Sequence, residues 1–158
     1  MSKDDSVPFQ TTLLVRDTCL CLHAQRAARA LARRFDEALR PVGLTNGQFS
    51  LMMSLNRPEP PPMAPVAALL AMDRTTLTAA LKPLEQRGLV RVTPDPKDRR
   101  SRRLSLTESG MAALIAAVPI WTRLHRDIEA ELPGGDALRL RADLVALSRP
   151  PAAGRLAA

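Results

Sequence analysis

No tyrosine occurs in this chain, and aromatic residues make up only 3% of it. Leu, Ala, Val and Met must therefore do the packing that large rings do elsewhere. Cysteine is nearly absent too: Cys19 and Cys21 stand two positions apart. That spacing excludes a disulfide framework and fits a reducing compartment. No uninterrupted apolar run approaches 18 residues, and the start, MSKDDSVPFQ, is polar and acidic. Neither a membrane span nor a signal peptide is expected, so the expected location is the cytoplasm, with no membrane partner. A Gly-rich phosphate loop and carboxylates paired at a useful spacing are also missing, which argues against most enzyme classes.

What remains is a chain of 158 residues, 46% hydrophobic, enough for one domain with a sizeable core. Lys and Arg number 23 against 16 Asp and Glu, a formal charge of +7. A polyanion is the partner that such a balance favours.

Apolar residues recur at spacings of three and four from Asp17 to Arg40: Leu20, Ala24, Ala27, Leu31, Phe35 and Ala38. This predicts a helix. PVG at 41–43 stops it, and TNGQ at 45–48 reads as a capping box opening a helix to about Leu55. NRPEPPP forms a rigid connector. A short helix over 64–71 follows, then one from Asp73 as N-cap to Gly88 just past its end. LVRVT and RLSLT read as two strands around a charged tip. TESG at 107–110 opens a long helix to about Leu132, PGG breaks it, and a last helix spans 136–148.

The predicted class is mainly α with a small β-hairpin wing, a winged helix-turn-helix domain plus a helical dimerisation region. Residues 1–16 are expected as a flexible arm, 17–44 and 108–148 as the dimerisation region, 45–107 as the DNA-binding domain, and 149–158 as a disordered tail.

In the helix at 73–87, Leu77, Leu81 and Leu84 share one stripe. The opposite face shows Thr75, Ala79, Lys82 and Gln86, flanked by Thr76, Thr78 and Pro83. Small residues, hydroxyls, an amide and a cation suit a major groove; an ordinary solvated helix face is the plainer alternative. From Asp73 to Arg103 there are nine Lys or Arg and four Asp or Glu, a net +5, so most of the excess charge lies in a fifth of the length. A narrow wing tip at 94–102 can enter a minor groove, where negative potential attracts arginine. On this reading Asp98 grips the Arg100 guanidinium in a bidentate pair and aims it. Lys97, Arg99 and Arg102 meet phosphates. Arg74, Thr75, Thr76, Thr78, Lys82, Lys97, Asp98, Arg99, Arg100 and Arg102 form the candidate DNA-binding set.

The segment DRTTLTAALKPLEQRGLVRVTPDPKDRRSRRLSLTESG, residues 73–110, resembles the signature of the MarR family of bacterial transcriptional regulators. The matching parts are the Thr-rich helix, the LEQRGLV exit, the DPKDRRS wing and the LSLTESG return. The resemblance implies an obligate homodimer on a pseudo-palindromic operator, repressing nearby genes until a signal releases it. It also implies that Asp98 and Arg100 are the wing's characteristic pair. Pro83 departs from a regular recognition helix, because it removes one backbone bond.

For the signal, CLCLH at 19–23 offers two thiols and His23. On a helix Cys19 and His23 share a face and Cys21 points away, so no metal site is expected. The same opposition disfavours a Cys19–Cys21 disulfide. If the helix begins at Asp17, both thiols lie near its first turn, where the dipole favours thiolate. The spacing from Cys21 to GLT is similar to that in the organic-hydroperoxide-sensing branch of the family. The tyrosines that hold the cysteine there are missing; Gln25 and Phe35 stand where they would be sought. The plainer alternative is that both cysteines pack in an interface. Other members respond to a small aromatic acid; Phe35, Met52, Met53 and Trp121 are candidates for lining such a pocket, or else core. A thiol-based redox enzyme using Cys21 with His23 is the alternative function. No cofactor is expected.

Overall fold

The computed structural model describes residues 6–98 and 100–149. Helix α1 spans Phe9–Thr18 and α2 Leu20–Leu39, followed by a single 3-10 turn, Arg40–Val42. Then come α3 (Asn46–Leu55), α4 (Met63–Leu69), α5 (Arg74–Gln86), strands β1 (Val90–Pro94) and β2 (Arg102–Leu106), α6 (Glu108–Ala130) and α7 (Ala137–Ser148). From α2 onward the order of helices and the hairpin agrees with the sequence expectation, with ends shifted by one to three residues.

Caps fix these boundaries. Thr45 Oγ1 accepts from Gln48 N (3.2 Å) while Gln48 Oε1 accepts from Thr45 N (3.1 Å), the reciprocal box expected of TNGQ. Asp73 Oδ1 accepts from Thr76 N at 2.8 Å and starts α5. Gly88, at φ +68°, ends it in the left-handed region that glycine enters without strain. Thr107 Oγ1 accepts from Gly110 N at 3.0 Å and starts α6.

The arm expected over 1–16 is corrected in part. Residues 9–16 are helical, and the chain breaks at Cys19, which is extended at φ −70° and ψ 106°. The second helix thus begins at Leu20, not Asp17. Leu13, Leu14 and Val15 are consecutive rather than spaced by three and four, and α1 buries nothing, so no helical periodicity marks it. Residues 1–5 of that arm, and 150–158 of the expected tail, lie outside the described residues.

One core gathers Leu39, Phe49, Met52, Leu55, Val66, Leu77, Leu84, Leu104 and Leu114 from α2 to α6. The hairpin pairs Val90 with Leu106 through to Pro94 with Arg102. A third, single-residue strand joins its outer edge: Pro62 bridges Arg103, and Leu104 N donates to the Pro61 carbonyl at 3.0 Å. Proline can accept but not donate there, so it closes the edge of the sheet. In contrast, α1 and α7 contribute no buried residue; Phe9, Leu14, Leu138 and Leu147 are each at least 60% exposed. No helix among the described residues is long and apolar enough to cross a membrane.

Candidate nucleic-acid interface

The leucine stripe of α5 is buried as its spacing predicts: Leu77, Leu81 and Leu84 keep 0%, 2% and 0% of their surface. This locks the rotation of the helix. Arg74, Thr75, Thr76, Thr78, Ala79, Lys82 and Gln86 are all exposed as a result. Their hydroxyls differ in freedom. Thr76 Oγ1 donates to Asp73 Oδ2 (2.9 Å) and Thr78 Oγ1 to the Arg74 carbonyl (2.8 Å), which leaves their lone pairs to accept. Asp73 is held below the usual carboxylate range, first by the Thr76 N–H and then by the Thr76 hydroxyl. Pro83 sits in the last turn, and α5 runs on past it to Gln86.

At the wing the structure redraws the expected ion pair. Asp98 Oδ1 accepts from the backbone N–H of Arg100 at 3.0 Å, and Ser101 N donates to the Asp98 carbonyl at 2.9 Å. No ion pair joins Asp98 to the Arg100 guanidinium among the described residues. A short aspartate followed two residues later by a free N–H closes an Asx turn, and this uses the carboxylate that the sequence reading assigned to the side chain. The carboxylate–guanidinium pair of this hairpin is another one. Asp95 Oδ2 accepts from Arg103 Nε at 2.7 Å, and Asp95 Oδ1 from Lys97 N at 2.9 Å. Arg103 Nη1 also donates to the Pro60 carbonyl at 2.9 Å. Asp95 is 6% exposed and held below the usual carboxylate range, first by the Lys97 N–H and then by Arg103. Nothing in the spacing distinguished Asp95 from Asp98; the alternation that turns Arg103 toward the connector was the available sign.

Lys97, Asp98, Arg100 and Arg102 are exposed at the tip, and Arg99 lies outside the described residues. The tip and the start of α5 flank one open groove of about 620 Å³. Arg74 lies on one bank and Asp98, Arg100 and Arg102 on the other, over a floor of Met63, Ala67 and Met72. Two elements far apart in sequence thus present cations around a concave surface, with a helix N-terminus opening onto it.

A model of the MarR family matches residues 44–101, a segment that includes all of this groove's residues but Arg102. The transcriptional regulator MosR of M. tuberculosis, in a crystal structure with DNA, is 41% identical and superposes with a TM-score of 0.76, covering 82% of this chain and 93% of that one. The chain belongs to the MarR family. The repressor NicR of Pseudomonas putida is 38% identical over 97 residues, which is 61% of each protein, so the chain spans about three fifths of that relative. A transcriptional repressor, CouR, bound to a 23-mer DNA duplex, is 32% identical with a TM-score of 0.73, covering 85% of this chain and 96% of that one. MarR-family proteins are transcription regulators with a winged helix-turn-helix, not enzymes.

The remaining candidates in this MarR-family chain scatter. Cys19 is half-buried as the N-cap of α2, its Sγ accepting from Leu22 N at 3.5 Å. Cys21 is exposed; Gln25 Nε2 donates to its Sγ at 3.2 Å, and Arg29 Nη2 donates to Gln25 Oε1 at 3.2 Å. Because Cys19 is extended, the opposite-face geometry of a continuous helix does not apply to the two thiols. His23 Nδ1 donates to the Cys19 carbonyl at 2.9 Å, so that nitrogen is not directed at the Cys21 sulfur. Phe35 and Met52 are buried at 8% and 0%, while Met53 is exposed. Trp121 stacks between Phe49 (6.1 Å) and His125 (4.6 Å). Phe35 and Met52 behave here as core.

Proposed function

We propose that this protein is a homodimeric, cytoplasmic DNA-binding regulator that represses nearby genes from a pseudo-palindromic operator. Helix α5 enters the major groove with Thr75, Thr76, Thr78, Lys82 and Arg74, and the wing enters the adjacent minor groove with Arg100, while Lys97, Arg99 and Arg102 meet phosphates. The single observation that carries this reading is the shared groove, with cations on both banks that have no carboxylate partner among the described residues and the α5 stripe buried behind it. The DNA complexes of MosR and CouR support it.

Dimerisation through residues 17–44 and 108–148, joined by α1, is supported by the apolar side chains of α1, α6 and α7 that stand exposed among the described residues. Large apolar side chains left exposed on three helices are what an interface would cover. Release follows from thiol oxidation or a small ligand. The Gln25–Cys21 contact beside the α1–α2 break supports the thiol route, because an oxidised sulfur there alters the first turn of a helix assigned to the dimer.

The test is a salt series on the duplex that the chain itself selects from a randomised library. Affinity falls linearly on a log–log plot with a slope of about −0.9 per phosphate neutralised. Arg100→Ala weakens binding, and Cys21→Ser leaves it intact but insensitive to hydroperoxide. A monomer indifferent to every duplex overturns the proposal.

A further inference from the structure

The wing of this protein is braced from below. Asp95 closes the first turn of the tip through Lys97 N and, with its other oxygen, holds Arg103 on β2. Arg103 in turn reaches the Pro60 carbonyl in the connector between α3 and α4. Next to it, Leu104 N donates to the Pro61 carbonyl. The pair is sheltered, with side chains 7% exposed at Asp95 and 28% at Arg103. Arg100 and Arg102, a few residues away, are exposed and have no carboxylate partner among the described residues.

A two-stranded hairpin is marginal by itself and free to rock about its base. Tying the outer strand to a segment of four prolines, Pro58, Pro60, Pro61 and Pro62, removes that freedom, because the connector's own backbone is stiff. The connector is continuous with α4, which packs on α5. The position of the wing relative to α5 is therefore set through Arg103.

We propose that Asp95 and Arg103 are positioning residues for DNA recognition, holding the wing at the angle from which Arg100 reaches the minor groove while making no DNA contact themselves. This rests on the DNA-binding reading above. It takes Arg103 out of the cations that meet the duplex and gives the buried aspartate of DPKD a role distinct from that of Asp98.

The experiment is a double-mutant cycle on the full chain with the library-selected duplex, read by fluorescence anisotropy across a salt series. Arg103→Met lowers affinity about tenfold, the size of losing one aimed arginine, and flattens discrimination between A·T-rich and G·C-rich sequence where the wing lands. In an Arg100→Ala background the same change costs less than about twofold, because its effect acts through Arg100. Asp95→Asn, which keeps the shape and the Lys97 N–H acceptor, reproduces the pattern more weakly if Arg103→Met fails to fold. Additive losses, with the salt slope reduced by one for each variant, would show that Arg103 touches DNA and overturn the proposal. A fall in melting temperature with affinity and flank preference unchanged overturns it as well. If wild type selects no duplex, the DNA-binding reading fails and takes this one with it.

Discussion

Gly110 is where the long helix α6 meets the wing, and Gly110→Ala tests how rigid that meeting is. A Cβ added at Gly110 would lie 2.0 Å from the Leu89 carbonyl oxygen and 3.0 Å from its carbon. Both are backbone atoms, so neither can rotate away; the start of α6 must lift off β1 by more than an ångström. Two hydrogen bonds cross the same seam: Thr107 N to the Leu89 carbonyl (3.1 Å) and Thr107 Oγ1 to the Gly88 carbonyl (2.6 Å). Overpacking of this kind costs about 1–3 kcal/mol, and each strained hydrogen bond about 1 kcal/mol more. Alanine's better helix propensity returns about 1 kcal/mol. The net is a loss of about 2–4 kcal/mol, which for a chain of this size lowers Tm by about 4–16 °C. Calorimetry reads this directly. A variant that melts at or above wild type would mean that α6 and β1 are not held in this contact.

Other outcomes follow from the same contacts. Asp98→Asn retains the acceptor for Arg100 N and should bind DNA within about threefold of wild type, whereas Asp98→Ala opens the turn and weakens binding further; equal losses from both would restore an ion-pair role for Asp98. Asp95 has its folded pKa depressed, so its contribution is complete above the unfolded value of about 3.9 and disappears as pH falls through the lower folded value. Melting curves of wild type and Asp95→Asn should differ at pH 6, begin to converge only below about pH 4 and meet once pH has fallen past the depressed folded value; a gap that persists beyond that would contradict the sign. Leu144→Glu places a charge on the apolar face of α7, which is 47% exposed at that residue, and should shift the chain from dimer to monomer in sedimentation; an unchanged dimer would place the interface elsewhere.

The fold was largely legible because its stop and start signals are local. TNGQ, Asp73, Gly88 and Thr107 each act on residues within four positions, and each does what its chemistry dictates. The leucine stripe of α5 was equally readable, since burial of one face fixes the other. Helix α1 was not, because its apolar residues bunch instead of recurring and none of them is buried among the described residues. The wing failed at one point for a definite reason. Two aspartates, Asp95 and Asp98, compete for arginines and for free N–H groups across one short turn. The arginine that Asp95 takes also reaches Pro60, in a connector more than thirty residues away, and only the strand alternation at Arg103 hinted at it.

That competition bears on how the charge of the chain is used. An arginine already seated on a carboxylate must leave it to meet a phosphate, and a sheltered pair resists this more than an exposed one, which is worth about 0–1 kcal/mol. Arg34 with Glu131, Arg126 with Asp127, Arg139 with Asp143 and Arg103 with Asp95 are so engaged. Arg74, Lys82, Lys97, Arg100 and Arg102 are not, among the described residues, and four of these five lie at the start of α5 or at the wing tip. Asp73 and Asp98 share that surface but are turned onto backbone N–H groups, where they build the helix start and the tip. The field that a duplex meets is therefore set by where the unpaired cations stand more than by the formal +7 of the chain. The acidic residues nearby strengthen recognition by shaping the backbone that carries those cations.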